Sequence, residues 1–370
     1  MQIILFSLVT ILLYVFSTSS VHSRPVLKAD ISKKITQYLH EIADPVKGIG
    51  AREAGSAKEK ETIAYVEKNF KAMGLSVSVQ PFPLAKNKLT SANVIANLNN
   101  NKTNTLVLAA HLDSTGAEHG SHGATDNASG LAAMLTVAGE LSETKDLPYN
   151  IRFIAFGAEE VGLLGAKHYV KTLLKEMGTA DNILAMINLD TIAGGDFLYV
   201  HSAHTTPYKC GDISATYNSD THVRDALFTL SNKLINKEQQ YIIHPAYEGY
   251  PEGVPGGWSD HAPVACAGVP LAYIESTNFT INGKDGYDGY SQSDHSTLWD
   301  CFDNTTDTAC DREEEHQWGH IWHTKADQLA IMDKLFSQRM TLQLTASVEV
   351  LIDFLSNYKL DANKKVAKKQ

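Results

Sequence analysis

Short apolar runs recur along this chain, and each gives way abruptly to a polar residue that can bind a metal. Three of them are residues 105–110, 151–156 and 183–189, and the second of these is rich in aromatic and β-branched side chains. Apolar runs of this length between turn signals are typical of strands that are buried on both faces of a parallel sheet. The residues that follow these runs are His111, the adjacent pair Glu159 and Glu160, and Asp190.

Segments with helical periodicity separate the strands. Apolar residues recur at helical spacing in residues 30–43, 59–73, 128–141, 163–176 and 224–236, and a last helix is expected from about 327 to 358. Shorter strands are predicted at residues 76–80, 94–98, 196–201 and 270–274. The alternation of strands and helices predicts an α/β fold: a three-layer sandwich in which helices flank both faces of a mostly parallel central sheet.

The first 23 residues predict a signal peptide. Residues 3–16 are nearly all apolar, which is too short for a typical bilayer span, and small polar residues lead to a plausible cleavage site after Ser23. Because no Lys or Arg precedes the apolar run, an uncleaved membrane anchor is the alternative. We expect one catalytic domain over residues 24–360, a solvated basic tail over 361–370, and no stable membrane association after cleavage.

Composition narrows the function and the compartment. The 370 residues are 43% hydrophobic with a net charge of −10, which argues against nucleic acid as a partner. The four cysteines fit an oxidising compartment and allow three pairings. Cys301 and Cys310 are close enough in sequence to close one loop, which leaves Cys210 with Cys266. None of the cysteines has CxxC spacing, so we do not expect a zinc site with thiolate ligands.

The candidate chemistry lies at the strand ends. In open α/β sheets, ligands bind in the crevice beyond the carboxyl ends of the strands. Asp126 opens a helix, where Asp is usually an N-cap, but at this crevice its carboxylate could bridge two cations. Asp113 can accept a hydrogen bond from the second ring nitrogen of His111. Two imidazoles and three carboxylates form a natural ligand set for two zinc ions, with one glutamate left as a general base. The candidates are His111, Asp126, Glu159, Glu160, Asp190 and His323.

Other histidines offer competing sites. His119 and His122 lie in a Gly-rich loop and could line the cleft. His316 and His320 have the i, i+4 spacing of a zincin helix, with Glu315 and His323 nearby, but Gln317 stands where that motif requires Glu. His295 lies in a second Ser-Asp-His triplet. We treat these residues as alternatives to the strand-end constellation.

Seven segments carry a family resemblance: AAHLDS, TDNASG, FGAEEVGLLGA, MINLD, SDHAP with AGVP, YIES and HTKAD. Together they make the chain similar to the co-catalytic di-zinc aminopeptidases of peptidase clan MH, over roughly residues 106–329. INLD followed by GGDFLYV, and IESTNFTINGKDGY, most resemble the bacterial branch that contains the alkaline phosphatase isozyme conversion aminopeptidase. This resemblance implies two zinc ions per chain, bridged by Asp126. His111 and Asp190 would complete the coordination of one zinc ion, and Glu160 and His323 that of the other. Glu159 would be the general base, and Asp113 would support His111.

The resemblance also implies the substrate. The partners would be the N-termini of peptides or proteins, with removal of N-terminal Arg or Lys. Tyr250 or Tyr247 could stabilise the oxyanion, and Asp260, Glu275 and Asp285, with Asp288 beside it, are further candidate substrate contacts. Asn127 begins an N-glycosylation sequon beside the bridging aspartate. Because a glycan there would block the cleft, we expect a periplasmic or secreted bacterial protein.

Two other function classes share this fold. Glutaminyl cyclases use one zinc ion and no hydrolytic water, so the number of bound zinc ions separates them from the aminopeptidases. Some clan relatives have lost their metals and act as binding modules, in which case the purified protein would contain no zinc. Other metallohydrolases, such as carboxypeptidases, are a further possibility.

Overall fold

The structure is a computed structural model that describes residues 24–84, 89–213, 215–247, 250–281, 291–311 and 313–358. The predicted signal peptide, the basic tail and Asp285 lie outside these residues. The helices are α1 Arg24–Ala43, α2 Ala57–Ala72, α3 Ser129–Ser142, α4 Leu164–Met177, α5 His222–Leu234, α6 His261–Cys266, α7 Leu329–Phe336 and α8 Arg339–Asn357. The strands are β1 Ser76–Pro83, β2 Thr90–Leu98, β3 Thr105–His111, β4 Asn150–Phe156, β5 Ile183–Leu189, β6 Phe197–His201, β7 Tyr241–Ile242, β8 Leu271–Thr277, β9 Phe302–Asp303 and β10 Thr308–Ala309.

Eight strands form the central sheet, in the order β1-β2-β4-β3-β5-β8-β6-β7. The four central strands, β4, β3, β5 and β8, all run parallel, while β1, β2 and the β6–β8 pair add antiparallel neighbours. The register places His111 opposite Phe156 and Ala110 opposite Leu189. The carboxyl ends of β3, β4 and β5 are therefore level, so the residues that follow them emerge at one edge of the sheet.

Helices cover both faces of the sheet. Successive side chains of β3 point to opposite faces, and both sets are buried. Leu106, Leu108 and Ala110 point into a core shared with α1, α3 and α8. Val107 and Ala109 point into a second core that includes residues of α4 and α6. Every residue of β3 is buried, which explains why its sequence is nearly all apolar and does not alternate between apolar and polar residues. The predicted three-layer α/β fold is confirmed.

The C-terminal part of the chain differs from the expectation. The predicted last helix is two helices, α7 and α8, which break at Gln338, where φ is +64°. The long polar segment before it contains the short β9–β10 hairpin, closed by the disulfide Cys301–Cys310. A second disulfide, Cys210–Cys266, joins α6 to the loop after β6. In the part of the chain that the structure describes, no helix has both the length and the apolar character needed to cross a membrane.

Candidate two-metal centre and substrate cleft

His111 ends β3 with a ring that is 2% exposed. Its Nδ1 lies 3.2 Å from the backbone carbonyl of Asp113 and 3.6 Å from the carboxylate Oδ1 of the same residue. Both neighbours are hydrogen-bond acceptors, which favours the tautomer that carries its proton on Nδ1. The lone pair of Nε2 is then left to face the cleft, as in a histidine that binds a metal.

Asp126 lies in a buried turn, Ala124–Ala128, directly before α3. The next residue, Asn127, fixes this turn to the end of β5: its Nδ2 donates to the carbonyl of Leu189 at 2.8 Å, and its Oδ1 accepts from the backbone N–H of Thr191 at 3.2 Å. A Cβ at Gly130 would lie 2.7 Å from that same Leu189 carbonyl, so this close approach requires glycine. Asp126 is not the N-cap of α3, which is Ala128.

The carboxylate of Asp126 contacts two histidines through different oxygens. Its Oδ1 lies 3.1 Å from His111 Nε2, and its Oδ2 lies 3.0 Å from His323 Nε2. Asp190 Oδ1 lies 3.1 Å from His111 Nε2, and Glu160 Oε2 lies 3.2 Å from His323 Nε2. The five predicted ligands thus form two sets of three, His111–Asp126–Asp190 and Asp126–Glu160–His323, each with ligand atoms within 4.8 Å of one another. Both sets share Asp126.

The chemistry of these contacts fits metal ions. A histidine nitrogen with a free lone pair and a carboxylate oxygen are both acceptors, so their close approach is favourable only with a cation or a proton between them. Asp126 Oδ1 and Glu160 Oε1 are buried without a hydrogen-bond partner among the described residues. In the protein alone, burial would lower the pKa of His323, but Asp126 and Glu160 raise it to about 11. Zinc, which binds imidazole and carboxylate, satisfies these groups without that proton.

The two glutamates follow β4 in a turn held by Asp113. The carboxylate of Asp113, fully buried, accepts the backbone N–H of Glu159 at 3.0 Å and that of Glu160 at 3.2 Å. Glu160 reaches His323, whereas Glu159 lies outside both ligand sets that share Asp126. Burial raises the pKa of Glu159 well above its usual range, partly offset by His111 and reinforced by Asp190. A third possible grouping, His111–Glu159–Glu160, is also compact.

These groups face a cavity of about 200 Å³. The aromatic side chains of Trp258, Tyr273 and Trp322 line it, so that apolar surface meets acidic groups. The complete set of lining residues is Asp126, Glu159, Glu160, Asp190, Thr191, Trp258, Tyr273, Glu275, Trp322 and His323. A pocket that combines apolar walls with a few convergent polar groups is typical of a small-molecule or side-chain binding site.

The predicted substrate contacts lie at different distances from this cavity. Glu275 lines it and is held from behind: its Oε2 accepts from the hydroxyl of Tyr273 at 3.0 Å, and its Oε1 lies 2.8 Å from His201 Nε2. Asp260 is fully buried and does not line the cavity, and neither of its oxygens has a hydrogen-bond partner among the described residues. The ring of Tyr250 is 6.3 Å from Trp258, one layer outside the cavity.

The competing histidines do not join the centre. Among the described residues, His316 and His320 belong to no compact group of metal-ligand side chains, and the grouping of Glu315 with Cys301 and Cys310 involves a disulfide, which cannot supply thiolates. The ring of His295 packs against Phe336 at 5.1 Å. His119 is exposed beside Glu118, and neither it nor His122 lines the cavity.

Three residues that line the cavity, and a fourth that does not, are absent from the candidates predicted from the sequence. Trp322 precedes the candidate ligand His323, Trp258 precedes the Ser259–Asp260 pair, and Tyr273 lies two residues before Glu275, so proximity to a motif could have suggested each of them. The fourth is Arg52, a fully buried arginine near the start of the chain. It lies in the segment AREAGS, which carries no periodicity or metal-ligand spacing.

The sequence matches a known family of peptidases. The profile of the family described as Peptidase family M28 matches residues 93–348. The Escherichia coli (strain K12) alkaline phosphatase isozyme conversion protein is 28% identical over 260 residues, which cover 64% of this chain and 70% of that protein. Leupeptin-inactivating enzyme 1 of Streptomyces exfoliatus is 29% identical, covering 74% of this chain and 57% of the enzyme.

Solved structures share the fold at low sequence identity. BSAP, a zinc aminopeptidase from Bacillus subtilis, superposes with a TM-score of 0.60 at 17% identity, covering 89% of this chain and 96% of that one. The glutaminyl cyclase of Porphyromonas gingivalis superposes with a TM-score of 0.58 at 20% identity, covering 89% and 97%. Both likenesses concern the fold.

Proposed function

Because the chain belongs to peptidase family M28, we propose that it hydrolyses the N-terminal residues of peptides or proteins with two zinc ions bound at the carboxyl ends of β3, β4 and β5. The family expected from the sequence motifs and the class of metallo-aminopeptidase are confirmed by the match. The number of metal ions, the roles of individual residues, the substrate preference and export are this proposal.

One observation carries the two-metal assignment. The two oxygens of Asp126 contact different histidines, and each histidine meets a further carboxylate of its own. A single metal ion would need one compact set of ligands, whereas these residues divide into two sets that share a carboxylate. A bridging carboxylate between two cations accounts for both halves of the arrangement.

The residues of the chain suggest how the reaction proceeds. When bound, the two zinc ions would polarise the scissile carbonyl and lower the pKa of a water molecule. Glu159 lines the cavity but lies outside the two ligand sets that share Asp126, so its carboxylate is placed to take a proton from this water and pass it to the leaving amine. Asp113 orients a candidate metal ligand and the candidate general base, since it supports His111 and fixes the backbone of Glu159.

Metal analysis and a substrate panel test this function together. We expect about two zinc ions per chain, hydrolysis of aminoacyl p-nitroanilides with a free α-amine, loss of activity with a chelator, and recovery when zinc is added. N-acetylated amides should resist cleavage because a blocked amine cannot occupy the site. Equal rates on free and acetylated amides would contradict an aminopeptidase.

A glutaminyl cyclase is the second candidate, favoured by the fold shared with the enzyme from Porphyromonas gingivalis. That reaction needs one zinc ion, whereas His111 and Asp190 would supply a second set of ligands with Asp126. Cyclisation of an N-terminal glutaminyl peptide, together with one zinc ion per chain, would support this candidate over the aminopeptidase.

For the substrate, we propose a preference for N-terminal Arg or Lys. Trp258 and Trp322 offer aromatic faces to a guanidinium or ammonium group, and Glu275 offers a carboxylate in the same cavity. Burial is the main cause that raises the pKa of Glu275 to about 8. Its neighbour His201, whose pKa burial lowers to about 3, stays neutral and does not cancel the charge.

The pH dependence of selectivity tests this preference. Above a pKa of about 8 Glu275 is ionised, so the ratio of kcat/KM for arginine amides over leucine amides should rise between pH 7 and 9. Glu275→Gln should abolish this rise and lower the ratio by about 10-fold, equivalent to about 1.4 kcal/mol. A pH-independent ratio that Glu275→Gln leaves unchanged would assign selectivity to other residues.

Export is also part of the proposal. The apolar residues 3–16, the plausible cleavage site after Ser23 and the two disulfides support an exported protein. Asn127 of the N-glycosylation sequon is fully buried, and its Nδ2 is occupied by the hydrogen bond to Leu189. N-terminal sequencing of protein from a periplasmic or culture fraction should begin at Arg24, and recovery of an intact N-terminus in the membrane fraction would indicate an anchor instead.

A further inference from the structure

Arg52 joins the two ends of the segment between β3 and α3 through its guanidinium group. Its four side-chain hydrogen bonds all go to backbone carbonyls: Nε donates to Leu112 at 3.0 Å, one terminal nitrogen to Gly50 and His122, and the other to Gly123 at 2.8 Å. Leu112 directly follows the ligand His111, and Gly123 lies three residues before Asp126. Arg52 therefore contacts both the beginning and the end of the β3–α3 segment, although it touches none of the candidate ligands.

The close fit around Gly123 shows how specific this contact is. A Cβ on Gly123, whose φ is +63°, would lie 2.8 Å from a terminal nitrogen of Arg52 and 2.7 Å from the carbonyl of Asp126. The backbone of Arg52 adds two more hydrogen bonds with Ser114, one in each direction. Burial lowers the pKa of Arg52 only to about 10, since Asp327 and Asp113 oppose the effect, so the group remains cationic at neutral pH.

Asp327 binds the hydrogen-bond donors of the same segment. Its Oδ1 accepts from the backbone N–H of Thr125 and from the Thr125 hydroxyl at 2.9 Å, and its Oδ2 accepts from the hydroxyl of Ser121 at 3.1 Å. The backbone carbonyl of Asp327 also accepts the N–H of His122. Asp327 is fully buried and lies four residues after the ligand His323, so this contact ties the His323 segment to the loop that presents Asp126.

We propose that Arg52 and Asp327 are positioning residues that hold residues 121–126 from opposite sides and keep the two oxygens of Asp126 directed at His111 and His323. Arg52 binds the carbonyl oxygens of this loop and Asp327 binds its N–H and O–H groups. Loosening either contact would let Asp126 turn towards one histidine and weaken the binding of the second metal ion. The proposal rests on the two-zinc function above.

The test compares zinc retention with thermal stability in the zinc-loaded protein. Arg52→Lys keeps the positive charge, but a single ammonium cannot reach the carbonyls at both ends of the β3–α3 segment. Thr125→Val removes one donor to Asp327 and keeps the shape of the side chain, so it provides a milder second variant. Arg152→Lys is the matched control: this half-buried arginine of β4 donates to the side chains of Asn97 and Tyr169, away from the metal centre.

We expect wild type and Arg152→Lys to keep two zinc ions at the same chelator concentration. Arg52→Lys and Thr125→Val should lose one zinc ion at a chelator concentration about 10- to 100-fold lower, the range found for residues that support metal ligands, and should regain activity in excess zinc. If Arg52→Lys and Thr125→Val lose zinc only at the chelator concentration at which Arg152→Lys does, whatever their fall in Tm, the positioning role is overturned. A wild-type chain that holds one zinc ion would instead overturn the two-metal function.

Discussion

Glu159→Gln is the substitution that separates catalysis from metal binding at this centre. The change keeps the size of the side chain and removes its ability to accept a proton. Glu159 lines the cavity but lies outside the two ligand sets that share Asp126, so we expect the variant to keep both zinc ions. A positioned general base contributes about 10²- to 10⁴-fold to rate, which corresponds to about 3–5 kcal/mol of transition-state stabilisation.

The stability of the variant should change in the opposite direction to its activity. Burial raises the pKa of Glu159 well above its usual range, with further contributions from Asp190 and Asp260. For a carboxyl group with a raised pKa in the folded state, stability is highest below the unfolded pKa and falls as pH rises through the folded pKa. Gln carries no charge at any pH, so the metal-free variant at pH 8 should be at least as stable as metal-free wild type.

The assay combines kcat on an arginine amide, zinc content by mass spectrometry, and thermal unfolding of the metal-free proteins. Glu118→Gln is the control, because Glu118 is an exposed residue of the neighbouring loop. A near-normal rate in Glu159→Gln would refute the general-base assignment. Loss of one zinc ion in the variant would indicate that Glu159 is a ligand, within the compact grouping His111–Glu159–Glu160.

Three further outcomes follow from the structure. His323→Ala should reduce the zinc content from two ions to one and lower kcat by roughly 100-fold or more, as measured by metal analysis and steady-state kinetics. In metal-free wild type, Asp126 and Glu160 raise the pKa of His323 to about 11 from 6.5. Stability from this histidine is complete below pH 6.5 and is lost as pH rises through 11, so the Tm of the chelated protein should fall over this range while that of the zinc-loaded protein should not. Replacing Cys210 and Cys266 by Ser opens a loop with a sequence separation of 56 and should cost about 4 kcal/mol in urea unfolding, whereas an unchanged midpoint would show that this bridge contributes little.

Sequence was sufficient for those parts of the fold in which one physical signal dominates. Strand β3 is buried on both faces, and its apolar run stops at the residue where the strand meets the crevice, so both the strand and the candidate ligand His111 could be predicted. The break between α7 and α8 could not, because the apolar periodicity of the two helices continues across Gln338. Helix α6 was missed because six residues around Pro263 carry too little periodicity to be recognised.

The same contrast explains which parts of the candidate site remained hidden. Metal ligands are side chains of a few types, so their occurrence at strand ends is visible in a sequence, and the structure brings all five together. A residue that acts on backbone carbonyls leaves no such trace, because every residue carries a carbonyl and the partners of Arg52 range from Gly50 to Gly123. Burying a guanidinium group without hydrogen bonds is unfavourable, so a buried arginine must be fully hydrogen-bonded. Such an arginine therefore indicates a place where the positions of several backbone segments depend on one another. The backbone that Arg52 binds at this centre adjoins the candidate ligands His111 and Asp126, so their spacing would depend on the backbone as well as on the ligand side chains.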